Sequence, residues 1–215
     1  PEVLLRISKG YTGTSYDKAV RNALAGSSVN VMATNAENAS MIDTHFSDRV
    51  KTKGITDQKS SGRCWLFTGL NVLRAKMIEK YNLGSFTFSQ NYLFFYDQLE
   101  KANLFLQGVI DTRKLPFDDR KVDWLFSNPL SDGGQFTGVS DLAMKYGLVP
   151  SEVMPETYSS NNTSQMALQL KTILRQGGLA LRTAYDASPA ASAKGKNAAA
   201  AEAKVNAELL KIKES

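Results

Sequence analysis

Apolar residues in the middle of the chain recur at the spacing of a helix. The positions that form one helical face are Leu66, Leu70, Leu73, Met77 and Tyr81. Trp65 and Phe67 widen this face, so the pattern predicts a central helix that is buried over most of its circumference. Asn82-Leu83-Gly84 provides a typical helix end.

Other segments also carry helical signals. Ser89 is a typical N-cap and precedes a helix predicted from Gln90 to about Leu106. Gly147 suits the position that follows a helix, because glycine tolerates the backbone conformation needed there. The remaining predicted helices are Asp17–Leu24, Arg120–Phe126, Thr137–Lys145 and Ala198–Lys213.

Changes of composition divide the chain into three parts. Residues 1–54 are weakly patterned and predict an N-terminal arm or loose subdomain, whereas residues 55–183 carry most of the periodic segments. In the last part, 184–215, alanine makes up ten of the twenty residues from Ala184 to Ala203. Such low complexity is typical of a linker, here leading into a truncated helix.

The numbers of cysteine and histidine residues limit the kinds of site. The 215 residues include one Cys and one His, which excludes an intramolecular disulfide framework, a cysteine-rich zinc site and a His-pair metal site. We therefore predict no metal and no cofactor. The longest apolar cluster, Tyr92–Tyr96, is far shorter than the roughly 20 residues of a membrane-spanning helix, so no membrane partner is predicted.

Basic residues are concentrated between Arg49 and Lys76. The basic residues of this stretch are Arg49, Lys51, Lys53, Lys59, Arg63, Arg74 and Lys76, and its one acidic residue is Asp57. A basic cluster attracts nucleic acid or acidic ligands. Since no stacking-aromatic pattern or nucleic-acid motif accompanies it, a solvated surface is the simpler interpretation, and nucleic-acid association is the alternative.

Cys64 is the strongest candidate for covalent chemistry. It follows a glycine-containing loop and opens the predicted central helix, where unpaired N–H groups and the helix dipole stabilise a thiolate. Arg63 is expected to act in the same direction. The Gln58 amide and the Cys64 N–H are two donors that suit an oxyanion hole for acyl transfer. Taken alone, a cysteine beside Trp65 also fits a small buried hydrophobe.

The loop itself points to a known family. Residues 58–65, Gln-Lys-Ser-Ser-Gly-Arg-Cys-Trp, resemble the nucleophile loop of papain-like cysteine peptidases. The sequence Ser-Ser-Gly-Arg-Cys-Trp within it resembles more specifically that of the bleomycin hydrolase (aminopeptidase C) branch. The resemblance continues in order through Phe88–Phe95, Asp132–Gln135 and Lys145–Pro150. It covers about Ile55–Tyr158, and residues outside that range match loosely.

This resemblance implies an α+β papain-like fold, of which the chain carries mainly the helical catalytic half, 55–183, and lacks most of the barrel half. It implies a cysteine aminopeptidase that hydrolyses short peptides, with Cys64 as nucleophile and Gln58 in the oxyanion hole. The substrate-binding residues would be Gly133, Gly134, Asp132 and Trp65. Family members form homohexamers. Ser61 stands where secreted relatives have a disulfide cysteine, which agrees with a reducing, cytoplasmic location.

A peptidase of this kind also needs a histidine base and an asparagine that orients it. In papain-like enzymes they follow the cysteine by about 130–150 residues, and here that window contains no His, while Asn197 and Asn206 have the wrong sequence context. The one His, His45, precedes Cys64, and we expect it to be an ordinary structural or surface residue.

We therefore expect the chain to be the N-terminal part of a longer enzyme and to be inactive alone. The alternatives are a non-catalytic pseudo-peptidase with a binding role and a basic nucleic-acid-associated protein on the same scaffold.

Overall fold

The computed structural model describes residues 2–50, 52–194 and 197–215. It divides into two compact units, Pro1–Arg49 and Val50–Ser215. The boundary predicted after residue 54 falls close to this division. Within the described residues no helix combines the length and the apolar character needed to cross a lipid bilayer.

The first unit consists of short helices with solvent-exposed surfaces. They are α1 (Glu2–Gly10), α2 (Ser15–Gly26), α3 (Val29–Ala33) and α4 (Ala36–Ser40), and no described residue of these helices is buried. The predicted helix Asp17–Leu24 lies inside α2. Polar N-caps start three of the four helices, because Thr14, Ser28 and Asn35 each accept a backbone N–H of the first turn.

The second unit is helical. Its α-helices are α5 (Cys64–Tyr81), α6 (Gln90–Asp111), α7 (Arg120–Ser127), α8 (Phe136–Tyr146), α9 (Tyr158–Asn161), α10 (Thr163–Asp186) and α11 (Ala198–Glu214), with a 3₁₀ turn at Pro189–Ala191. Extended pairing among the described residues is limited to isolated bridges between Ser60 and Asn162 and between Phe88 and Pro150. This is the helical half of the papain-like fold, as predicted.

Two apolar clusters hold the second unit together. The first packs α5 and α8 against the N-terminal part of α6, around Leu66, Leu93 and Val139. The second packs the C-terminal part of α6 against α10 and α11, around Val109 and Leu181. Because α6 belongs to both clusters, it connects the helix that begins at Cys64 to the end of the chain.

The predicted helices that correspond to α5, α7, α8 and α11 are confirmed within a few residues. Helix α6 runs five residues beyond its predicted end at Leu106. The 24-residue α10 has no counterpart among the predicted elements. Its Leu174, Leu181 and Tyr185 are buried and share one helical face with the partly buried Leu170. Leu168 and Ile173 are exposed, so its apolar residues are not confined to that face.

The Ala-rich segment does more than link. Helix α11 occurs where a weak helix was predicted, and its Val205 and Leu209 are 2% and 1% exposed within the second cluster. The short alanine side chains let α11 approach α10 closely, so this helix packs as part of the second unit. Gly195 and Lys196, in the predicted linker, lie outside the described residues.

Candidate active site

Cys64 occupies the first position of α5, and its side chain is exposed. The helix behind it is firmly buried, since Trp65, Leu66 and Phe67 are at most 8% exposed. The residue before it, Arg63, makes no side-chain cap to the helix. The Cys64 N–H therefore stays available beside the thiol, as an oxyanion site requires. The Leu66 and Phe67 N–H groups instead donate to the Arg63 carbonyl, each at 3.0 Å.

Gln58 lies on the loop that leads into this helix. Its Nε2 donates to the Ser61 carbonyl at 2.6 Å, and the Ser61 hydroxyl donates back to the Gln58 carbonyl at 2.6 Å. These two bonds fix the side chain against its own loop. An amide nitrogen carries two hydrogens, so one N–H of Gln58 is left for a ligand.

Arg63 plays a different part from the one predicted. It was expected to stabilise a Cys64 thiolate by its charge. Instead its guanidinium is fully buried, 0% exposed, and forms a two-point ion pair with Glu156 at 3.0 and 2.9 Å. Its Nε also donates to the Ser61 hydroxyl at 2.9 Å. Since Glu156 compensates the charge, Arg63 acts as an anchor that holds the nucleophile loop to the distant segment before α9.

Asp132 joins the nucleophile loop to the loop that follows α7. Its carboxylate accepts the Gly62 N–H at 3.2 Å and the Thr163 hydroxyl, and its carbonyl accepts the indole N–H of Trp65 at 2.8 Å. The Asp132 side chain is therefore bonded to Gly62 and Thr163, and the Trp65 side chain is bonded to the Asp132 carbonyl. The substrate-binding roles predicted for them remain predictions, and their contacts suit them to shaping the cleft wall.

The two glycines after Asp132 differ in their surroundings. A Cβ on Gly134 would lie 2.5 Å from the Trp65 indole ring, closer than any side chain tolerates. A Cβ on Gly133 would meet nothing nearer than the Ser131 hydroxyl at 3.6 Å. The backbone at Gly134 thus rests directly on Trp65, whereas Gly133 is open to solvent. This arrangement leaves room for a peptide beside the loop.

His45 and Asn206 each have a hydrogen-bond partner within their own unit. His45 is exposed and belongs to the first unit, where its backbone N–H donates to Asp43 at 2.8 Å. Asn206 is engaged by Arg113 at 3.0 Å. Among the described residues no cluster of His, Cys, Asp or Glu could hold a metal ion.

The basic stretch does not form one cationic surface. Besides Arg63, Arg74 is buried and donates to the carbonyls of Thr52 and Gly54 at 3.1 and 2.5 Å. Lys59 pairs with Asp57 at 2.8 Å. Lys51 lies outside the described residues. Two of the seven basic side chains are thus internal, which leaves the nucleic-acid alternative with less basic surface than the sequence suggested.

Two residues at this site were not predicted. Glu156 neutralises Arg63, and Lys101 on α6 donates to the loop that carries the two glycines. Glu156 is 93 positions from its partner and Lys101 is about 30 from its acceptors, so no local spacing indicates either contact. A lysine four residues after Asp97 was the one available signal, and it predicts only an ordinary helix-surface pair.

Comparison with known proteins agrees with the resemblance of the loop. The profile described as the peptidase C1-like family matches residues 2–211. The chain is 45% identical over 141 residues to aminopeptidase C of Lactobacillus delbrueckii subsp. lactis, covering 66% of this chain and 31% of that protein. It is 44% identical over 132 residues to human bleomycin hydrolase, covering 60% of this chain and 29% of that protein.

A solved structure extends the similarity to the fold. PepW from Lactobacillus rhamnosis superposes with a TM-score of 0.79 at 35% identity, over 98% of this chain and 46% of that one. The chain therefore spans about a third to a half of the length of the relatives it matches.

Proposed function

The chain belongs to the peptidase C1-like family, in its aminopeptidase C and bleomycin hydrolase branch, and from that premise we propose that it supplies the nucleophile half of a cysteine aminopeptidase. The observation that carries the proposal is the exposed Cys64 at the first turn of a buried helix, beside the loop that holds Gln58. The substrates would be short peptides with an unblocked N-terminus.

In this proposal the Cys64 thiolate attacks the carbonyl carbon of the substrate's first peptide bond. The carbonyl π electrons move to oxygen, and the oxyanion is held by the Cys64 N–H and the remaining N–H of Gln58. The tetrahedral intermediate then collapses, expels the leaving amine and leaves a thioester on Cys64. Water attacks the thioester, which releases the carboxylic acid and regenerates the thiol.

The proton transfers require a base that the described site does not contain. The leaving amine must gain a proton, and the attacking water must lose one. In this proposal a histidine outside the 215 residues performs both transfers, with an asparagine that orients it. We therefore expect the chain alone to bind and react with peptide-like electrophiles at Cys64 without turning over amide substrates.

The test uses the purified chain and two assays. An aminoacyl-aminomethylcoumarin substrate measures turnover, and an aminoacyl chloromethyl ketone with an unblocked amino group measures covalent capture. The chloromethyl ketone loses chloride as the Cys64 sulfur bonds to its methylene carbon. We expect no turnover and one label per chain, located on Cys64 by mass spectrometry and absent from Cys64→Ala.

Iodoacetamide provides the reference for capture. A cleft that binds the N-terminus of a peptide gives saturable labelling by the aminoacyl reagent, at least about tenfold faster at equal concentration than iodoacetamide after correction for the reagents' reactivity with free cysteine. Equal corrected rates would overturn the proposal, because Cys64 would then be an exposed thiol without a peptide site.

A further inference from the structure

Lys101 donates all the hydrogens of its ammonium group to acceptors within the second unit. Its Nζ donates to the Ser131 carbonyl at 2.9 Å, to the Gly133 carbonyl at 2.7 Å and to the Asp97 carboxylate at 2.7 Å. An ammonium has three N–H bonds, so each one has an acceptor. The nitrogen also lies 5.4 Å from the centre of the Trp65 ring, within the range of a cation–π contact.

These contacts fix the backbone on both sides of Asp132. The carbonyls of Ser131 and Gly133 point toward α6, while the carbonyl between them, on Asp132, accepts the Trp65 indole N–H at 2.8 Å. Residues 131–133, which bend at Asp132, are therefore held by Lys101 on α6 and by Trp65 on α5.

Asp97 holds the lysine in turn. It lies one helical turn before Lys101 on α6, and its side chain is 10% exposed. The Gln98 amide donates to the same carboxylate at 2.9 Å and to the Ser131 carbonyl at 3.3 Å. A lysine that served only as a helix-surface partner of Asp97 would not need to reach the carbonyls of a loop 30 residues away.

We propose that Lys101 is a positioning residue that sets the peptide-binding edge of residues 131–134. The inference rests on the proposed function, since it needs a peptide to bind along that edge. Gly134 rests on Trp65, and Lys101 fixes the residue before it, so the backbone groups that a peptide would meet are ordered before binding. Small displacements of such groups weaken binding and reaction strongly.

Removing the lysine releases the Gly133 carbonyl, leaves the Ser131 carbonyl with the longer bond from Gln98 alone, and keeps Cys64 and its helix in place. The variant Lys101→Met keeps the length of the side chain without its donors. We expect its second-order rate constant with the aminoacyl chloromethyl ketone to fall about tenfold or more, and its rate with iodoacetamide to stay within about twofold. Lys101→Arg keeps a charged donor and should recover part of the loss.

Two further variants separate positioning from general damage. Lys145→Met removes a lysine that pairs with Glu100, the α6 residue next to Lys101, and touches neither carbonyl. It should leave both labelling rates unchanged. The double variant Lys101→Met/Asp97→Asn removes the carboxylate left unpaired by the single change, so it keeps the test possible if Lys101→Met fails to fold.

The outcomes are distinct. If the wild-type chain shows no preference for the aminoacyl reagent, the proposed function and this inference both fail. If the wild type prefers that reagent and Lys101→Met, or the double variant, keeps the preference, the inference alone is overturned. Equal losses with both reagents also contradict it, because they would mean that Lys101 supports Cys64 and its helix instead of the peptide edge.

Discussion

The residue directly before the candidate nucleophile, Arg63, is completely buried and joined to Glu156 by two hydrogen bonds of 3.0 and 2.9 Å. Its guanidinium also lies 5.0 and 5.1 Å from the ring centres of Phe67 and Phe94. Ser160 donates to the same Glu156 carboxylate at 2.6 Å. The position of Cys64 is therefore set by an ion pair whose arginine lies inside the core and whose glutamate is 26% exposed.

Breaking this pair should destabilise the second unit strongly. Glu156→Gln leaves the fully buried Arg63 guanidinium without a compensating charge, so we expect a loss of about 3–5 kcal/mol in the free energy of unfolding. Arg63→Met leaves a Glu156 carboxylate that is 26% exposed, so its loss should be smaller. Urea unfolding followed by circular dichroism measures it.

The double variant Arg63→Met/Glu156→Met provides the matched control. It removes both charges, and its loss should be clearly smaller than the sum of the single losses. Additive single losses, or a single loss below about 1 kcal/mol, would show that the two side chains do not depend on one another.

The neighbouring glycines allow a paired test of the cleft wall. Gly134→Ala places a methyl group 2.5 Å from the Trp65 ring, so we expect a loss of about 1–3 kcal/mol from displaced ring or loop. Gly133→Ala meets only ordinary contacts and should change stability by less than about 0.5 kcal/mol. Thermal unfolding of the two variants side by side measures the difference, and equal effects would contradict the close approach of Gly134 to Trp65.

The helices around Cys64 could be predicted because their signals are local. The apolar repeat of α5, the Ser89 cap of α6 and the Gly147 end of α8 each depend on residues a few positions apart. The loop from Gln58 to Trp65 was recognisable for the same reason. Local signals of this kind were enough to predict the family and the helical half of its fold.

The contacts that hold the site in place could not be predicted. Glu156 reaches Arg63 across 93 residues, and whether an arginine is buried or solvated depends on the partner it finds after folding. The role expected of Arg63 as a cation beside the thiol failed for this reason. Helix α10 was missed although Leu170, Leu174, Leu181 and Tyr185 repeat at helical spacing on one face. That signal was local, and exposed apolar residues such as Leu168 and Ile173 obscured it.

The C-terminal helix offers a test of how the Ala-rich segment contributes to stability. Leu209 is 1% exposed in the cluster that joins α6, α10 and α11, whereas the next residue, Leu210, is 49% exposed. We expect Leu209→Ala to cost about 2–4 kcal/mol and Leu210→Ala less than about 1 kcal/mol. Chemical unfolding of both variants checks this, and equal small losses would mean that α11 is not part of the core in solution.

Because of Asp97, the free energy of unfolding of the second unit should include a contribution that decreases as pH rises. Burial raises the pKa of its carboxyl above the ordinary 3.8, although hydrogen bonds from Lys101 and Gln98 lower it in part and the nearby Asp132 raises it further. The ion pair with Lys101 favours the ionised carboxylate, whereas burial favours the protonated form. Burial has the larger effect because the side chain is only 10% exposed.

The sign of the effect follows from proton linkage. Between the ordinary pKa and the raised one, the folded chain holds more protons at Asp97 than the unfolded chain, so this residue's contribution to stability decreases as pH rises through the raised pKa. Asp97→Asn removes that titration and keeps a side chain of the same shape. Wild type minus Asp97→Asn, measured as the free energy of unfolding in urea from about pH 3.5 to 7, should therefore fall with increasing pH. Carboxyls elsewhere, such as Glu100 and Glu202, whose pKa values are lowered by their basic partners, cancel in this difference. A difference that rises with pH would mean that the Lys101 ion pair outweighs burial at Asp97.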